Sequence, residues 1–168
     1  AWKVRGTEGP IARSSQAMTF DSKRGAVVLF GGETGEGQLL GDTWERQGPN
    51  WSLRGNSGPS ARTGHALAYD VARQVTVLFG GWDGTYRNDF WEWDGVEWKV
   101  RDIPGPEPRS GHSMAYDSAR GVTTLFGGLN GDGYLGDTWE WNGKAWRRVS
   151  DIGPSRRRFH AMTYDASM

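Results

Sequence analysis

The sequence predicts an all-β protein, an arc of a β-propeller made of four-stranded antiparallel blades. Three observations predict it. The 168 residues repeat a pattern whose successive periods are 49, 47 and 48 residues. Each copy holds four short runs of β-branched and aromatic residues bounded by Gly, Pro or Asn. No stretch of twelve residues carries helical periodicity free of Gly or Pro. A repeat of about 50 residues with four strands is the signature of a propeller blade.

The anchors of the repeat are regular. Gly-Pro-x-x-Arg occurs at Pro10/Arg13, Pro59/Arg62, Pro106/Arg109 and Pro154/Arg157. A Gly-Gly pair recurs at Gly31, Gly80 and Gly127, always 18 residues after the Arg. One Trp series is Trp44, Trp91 and Trp139; a second is Trp2, Trp51, Trp98 and Trp146, 7 residues after the first. The second Trp precedes the next Arg by 11 residues in every case. All variation in period lies in three segments, 33–41, 82–88 and 129–136.

In chain order, residues 1–9 hold the fourth strand of a preceding blade, expected over Trp2 to Arg5. Three blades follow, at 10–58, 59–105 and 106–153. Residues 154–168 hold the first strand of another blade, expected over His160 to Asp165. The third copy shows the elements most clearly. His112 to Tyr116 is its first strand, with a tight turn over 117–121. Val122 to Phe126 is the second strand. Thr138 to Trp141 is the third, turning at Asn142-Gly143, a strong hairpin signal. Ala145 to Val149 is the fourth. Three blades are too few for a closed ring of roughly four to eight. The expectation is that the remaining blades come from the same longer chain or from a partner chain.

Composition narrows the function classes. Lys plus Arg and Asp plus Glu are both 20, so there is no general attraction to nucleic acid or to an anionic membrane. Apolar runs are short, as in Val75 to Phe79, against the roughly 20 residues that cross a bilayer as a helix. There is no Cys, so disulfide and thiol chemistry are absent from these residues. The compartment stays open, with an extracellular or periplasmic one slightly favoured. No phosphate-binding loop or nucleophile motif is present, and neither a metal nor another cofactor is expected.

The Phe-Gly-Gly ending the second strand resembles the kelch family. So do the aromatic of the third strand (Trp93, Trp141), the fourth-strand Trp five residues later (Trp98, Trp146), and the leading Arg-x-x-His (Arg62/His65, Arg109/His112). The likeness covers nearly the whole chain, in a style that looks bacterial. The first copy departs from it, with Gln16 for His and Arg46 for the aromatic. The resemblance implies a kelch-type propeller, and it implies that Arg13, Arg62, Arg109 and Arg157, near the central opening, can contact an acidic ligand. The same arginines also read as structural, one per blade, bonding carbonyls of a neighbour.

Strand direction alternates, so the second-to-third-strand loops and the leading Arg segments emerge on one face. Loops carry function on a rigid scaffold, and the candidates there are Glu33, Glu36, Trp82, Asp83, Tyr86, Arg87, Asn130, Asp132 and Tyr134. Aromatics beside carboxylates suit a sugar ring or a peptide; they also read as mere cover for the blade tops. His65, His112 and His160 recur once per blade. Packed sheets lie about 10 Å apart while a zinc–nitrogen bond is about 2 Å, which argues against a shared metal. Arg147, Arg148, Arg156, Arg157 and Arg158 form a basic cluster that reads as a solvated patch. The functional expectation is a non-catalytic module that binds or assembles with a protein or glycan. The alternative is a kelch-type, for example sugar-processing, enzyme with catalytic residues partly outside this chain.

Overall fold

The computed structural model describes residues 8–166; the strand expected over Trp2 to Arg5 lies outside them. The described residues form three four-stranded antiparallel sheets and no helix. The first sheet is β1 (Ala17–Asp21), β2 (Ala26–Phe30), β3 (Thr43–Gln47) and β4 (Asn50–Gly55). The second is β5 (Ala66–Asp70), β6 (Val75–Trp82), β7 (Tyr86–Trp93) and β8 (Trp98–Arg101). The third is β9 (Ser113–Asp117), β10 (Val122–Asn130), β11 (Gly133–Trp141) and β12 (Trp146–Ser150). Each sheet runs in simple chain order, and β5 lies beside both β1 and β9.

Two expectations need correction. The segments 82–88 and 129–136 are mostly strand, not loop. In the second sheet the ladder continues past the glycine pair to Trp82↔Tyr86, and in the third to Asn130↔Gly133. The continuation is hidden in the sequence by a register shift at each pair, between Phe79 and Gly81 and between Phe126 and Gly128. A bulge of this kind bends a strand without ending it. The pair must be glycine on two counts. Gly80 and Gly81 have φ of 61° and 101°, a region costly for other residues. A Cβ on Gly80 would also meet the Arg109 carbonyl oxygen at 2.7 Å. The second correction concerns His160 to Asp165, which forms no strand. A first strand is held by a second strand of its own sheet, and no described residue supplies one.

The turn joining first to second strand shows how local sequence sets geometry. Asp21 Oδ1 accepts the Arg24 N–H at 3.0 Å and Asp21 Oδ2 accepts Arg24 Nε at 2.6 Å. Asp70 and Arg73 repeat this, as do Asp117 and Arg120. Each arginine then reaches a third-strand glutamate: Glu45, Glu92 or Glu140.

The sheets pack face to face through aromatic residues. Val28, Phe30, Leu67, Leu78, Trp93 and Trp98 fill the first interface. Val77, Phe79, Phe90, Met114, Leu125, Trp141 and Trp146 are among those filling the second. The first interface is also hydrogen-bonded. Trp98 Nε1 donates to Thr43 Oγ1 at 2.9 Å, and Trp93 Nε1 donates to Glu45 Oε1 at 2.9 Å. In the second the indole nitrogens of Trp141 and Trp146 have no hydrogen-bond partner among the described residues. Phe90 stands where Thr43 stands in the first sheet, and meets both rings edge-on at 4.8 and 5.4 Å.

Glu45 is therefore a hub, fully buried and accepting from Arg24, Arg54 and Trp93. Its counterpart Glu140 is 12% exposed and bonds only outlying arginines. Replacing Glu45 by Ala strands buried donors and is expected to cost about 3 kcal/mol. The same change at Glu140 is expected to cost about 1 kcal/mol. Urea unfolding of both variants checks the order; equal losses would show that the buried network confers nothing extra.

Candidate ligand-binding face

One face carries the leading Arg segments and the second-to-third-strand hairpins. Antiparallel bridges join them: Ser14 to Glu33, Thr63 to Trp82, and Ser110 to Leu129. Arg13, Arg62 and Arg109 are committed to the protein. Arg62 Nη1 donates to the Gly80 carbonyl at 2.9 Å and to Asp89 Oδ1 at 2.6 Å, and Nη2 donates to Asp89 Oδ2 at 2.8 Å. Arg109 binds the Gly127 carbonyl and Asp137 in the same way, and Arg13 binds the Gly31 carbonyl and Asp42. Such bidentate pairs are strong and directional. Each aspartate also accepts a third-strand indole N–H, from Trp44, Trp91 or Trp139, at 2.6–2.7 Å.

The side chains of Arg62 and Arg109 are at most 1% exposed. They offer no surface to a ligand, and the carbonyl each one bonds belongs to its own sheet rather than to a neighbour. The neighbour is reached through the backbone. The Arg62 N–H donates to the Leu40 carbonyl and its C=O accepts from Gly32, both in the preceding sheet. Arg157 makes the same backbone bonds, to the Leu135 carbonyl and from the Gly128 N–H, but its side chain is exposed and bonds only Ser155.

Burial alone would raise the Asp137 carboxyl, but hydrogen bonds from Arg109 and Trp139 outweigh it and hold it at about 2. His65 lies edge-on to Phe30 with Nε2 3.0 Å from the Phe30 carbonyl oxygen. Burial first, then the Arg62 guanidinium, pushes its pKa down to about 3. His112 sits likewise against Phe79; burial and then Arg109 push it to about 3. Its ring nitrogens make no close hydrogen bond, and the Phe79 carbonyl acts against the downward shift without cancelling it. No group of three or more potential metal ligands comes together among the described residues.

Residues two beyond each repeated arginine form a backbone chain. Gly64 N–H donates to the Ser15 carbonyl at 3.1 Å, Gly111 to Gly64 at 2.7 Å, and Phe159 to Gly111 at 2.7 Å. All four have positive φ: 54° at Ser15, 64° at Gly64, 67° at Gly111 and 56° at Phe159. This chain rims a groove of about 400 Å³ lined by Met114 of β9 and by His65 and His112, which immediately precede β5 and β9.

The hairpins divide into committed and free side chains. Asp83 accepts from Ser60, Thr85 and Arg87. Burial opposes its ionisation, but the bonds from Arg87 and Ser60 hold it at about 2. Asn130 Oδ1 closes its own turn by accepting from Asp132 and Gly133. Glu33 lies on a bridge, Glu36 and Asp132 are exposed, and Tyr86 begins β7. Trp82 is 40% and Tyr134 50% exposed. Tyr134 lies against Arg158, whose Cζ is 5.7 Å from its ring centroid and 5.0 Å from that of Phe159.

Phe159 was absent from the sequence-based candidates, and Arg158 figured only in a solvated patch. A signal existed: the two positions after the repeated arginine read Ser-Ser, Thr-Gly and Ser-Gly, then Arg-Phe. The basic cluster itself is partly neutralised, Arg147 by Glu140 and Arg148 by Asp151.

No protein-family model matches the chain, and no curated protein matches it.

The two buried histidines predict acid lability. Their folded pKa values lie below the unfolded value of about 6.5, so the unfolded chain binds more protons between these limits. Their contribution is complete above pH 6.5 and is lost as pH falls toward 3. At pH 5, His65→Gln is expected to lower proton uptake on unfolding by about one. The slope of unfolding free energy against pH measures this; an unchanged slope would mean that His65 is charged in the fold.

Proposed function

We propose that the chain is an arc of a kelch-type β-propeller, its three sheets being blades. In this reading it is a non-catalytic module that binds or assembles with a protein or carbohydrate through the hairpin face. The ring is completed by further blades from a longer chain or a partner chain. The order of strands in each sheet supports the blade reading, as does the alignment of β1, β5 and β9 along one groove.

One observation carries the binding reading. The polar groups of Arg13, Arg62 and Arg109 and their aspartates are consumed by the frame, whereas two aromatic side chains of the hairpins stay exposed. Trp82 is exposed at the end of β6, where the other copies carry Glu33 and Leu129, and Tyr134 is exposed on β11, at the position that Tyr86 holds in the second sheet. Exposed aromatics on hairpins held by a rigid frame are suited to stacking on a ligand.

The test is binding of the full chain to a panel of glycans and peptides, with Trp82→Ala and Tyr134→Ala compared against the parent. At least one variant is expected to weaken binding about tenfold, the loss of one good aromatic contact, with the melting midpoint unchanged. Binding that survives in both variants would place the ligand elsewhere. Turnover of a panel glycan would favour the enzyme.

A further inference from the structure

The turn joining the third and fourth strands of the third sheet, Asn142-Gly143, carries chemistry of its own. Asn142 Oδ1 accepts the N–H groups of Lys144 at 3.0 Å and of Ala145 at 2.9 Å. Two N–H donors on a carbonyl oxygen stabilise the oxyanion that forms when a nucleophile adds to its carbon. The nucleophile is next in the chain. The Gly143 nitrogen makes no hydrogen bond among the described residues, and glycine has no side chain to hinder its approach. Asn142 is exposed, so water reaches the amide. Asn130-Gly131 is the other Asn-Gly pair, and Asn130 Oδ1 makes the same kind of bonds. Asn130, however, is half-buried and held within β10 by its pairing with Gly133, whereas Asn142 lies outside the strands.

The second sheet, which has a copy on each side, holds the same turn with an aspartate in it. Its Asp94-Gly95 is the counterpart of Asn142-Gly143, and Asp94 is exposed as Asn142 is. Asp94 Oδ1 accepts the N–H groups of Val96 at 2.9 Å and Glu97 at 3.0 Å. Each turn lies against an arginine of the preceding sheet. A Cβ on Gly95 would meet Arg24 at 2.7 Å, and one on Gly143 would meet Arg73 at 3.1 Å. An aspartate therefore fits this turn, and it finds a cation. Asp94 Oδ2 accepts from Lys99 Nζ at 2.9 Å, and Arg147 holds the place of Lys99, directly after the fourth-strand Trp. We propose that Asn142 is a site of spontaneous deamidation in the folded protein, and that the turn accepts the aspartate it yields. The Gly143 nitrogen gives its proton to solvent and bonds Asn142 Cγ. The Cγ–Nδ2 bond breaks and ammonia leaves, closing a five-membered imide. Water then opens the imide. Cleavage at Cγ gives aspartate; cleavage at the backbone carbonyl gives isoaspartate. One water is consumed and one ammonia released, with no change of oxidation state. The new carboxylate faces the same kind of cation that Asp94 holds, and takes the basic cluster around Arg147 one charge toward neutrality.

The test incubates the full chain at neutral and at mildly alkaline pH, folded and in urea, and follows each asparagine by peptide mass spectrometry. In the folded chain the peptide holding Asn142 is expected to gain the mass of an amide-to-acid change. Its rate should exceed those at Asn50, Asn56 and Asn88, which precede Trp51, Ser57 and Asp89, by about tenfold or more. It should also exceed the rate at Asn130, and rise with pH because the Gly143 nitrogen must give up its proton. Asn142→Asp is expected to keep or raise the melting midpoint, as the Asp94 turn implies. Conversion no faster at Asn142 than at Asn50, Asn56 and Asn88 would overturn the proposal. So would conversion seen only in urea, which would show that the turn protects the amide. A lowered midpoint for Asn142→Asp would overturn the fit of the product.

Discussion

The chain depends on one residue used four ways. Arg62 and Arg109 each bond the preceding sheet through the backbone. Their N–H donates to the carbonyl of Leu40 or Arg87, and their C=O accepts from Gly32 or Gly81. Their side chains then bond their own sheet, at the glycine-pair carbonyl and at the aspartate that leads into the third strand. Each arginine is thus a joint between consecutive sheets. Burying a guanidinium and a carboxylate gains little net stability, since desolvation offsets their attraction. What it confers is geometry. A bidentate pair has one arrangement, so the start of the first strand, the glycine bulge and the start of the third strand are set together. Removing either partner leaves a charge in the interior, which is why the pair is an all-or-none feature.

The frame was legible in the sequence because it obeys fixed spacing. Arg13, Arg62 and Arg109, the glycine pairs and the two Trp series occur at constant intervals, and constant intervals mean constant geometry. The twelve strands in three sheets among the described residues follow from that, along with the turns at Asp21, Asp70 and Asp117. Strand ends were less legible. Gly80-Gly81 and Gly127-Gly128 read as terminators, yet they are bulges inside β6 and β10. Glycine permits a left-handed bend and says nothing about whether pairing resumes beyond it. The resumption is set by hairpin length, three residues after Trp82 and two after Asn130, against the longer connection of the first sheet. The role of the repeated arginines was only half legible, because the acid partner lies 27 to 29 residues away.

The two interfaces between sheets show how one frame tolerates different chemistry. Thr43 and Glu45 give the indoles of Trp98 and Trp93 their acceptors; Phe90 removes one acceptor and substitutes edge-to-face aromatic contact. A buried indole N–H without a partner costs something. Two close ring pairs recover part of that cost. The histidines follow the same logic. His65 closes a hydrogen bond to the Phe30 carbonyl, and His112 keeps the ring contact with Phe79 without the close bond. Shape is held more tightly than hydrogen bonding across these repeats, as expected where close packing sets the sheet separation.

Rigidity of this kind makes strain affordable at a few places. Ser15, Gly64, Gly111 and Phe159 are linked into one backbone chain, so the left-handed conformation of each is enforced by its neighbours as well as by its own sheet. A residue poorly suited to that conformation can be carried if the surroundings over-determine it. Gly64 and Gly111 adopt it at no steric cost. Ser15 is small, and its exposure places few demands on its side chain. Phe159 is the outlier, and it departs together with Arg158 while Arg157, His160 and the rest of the repeat signature around them are kept.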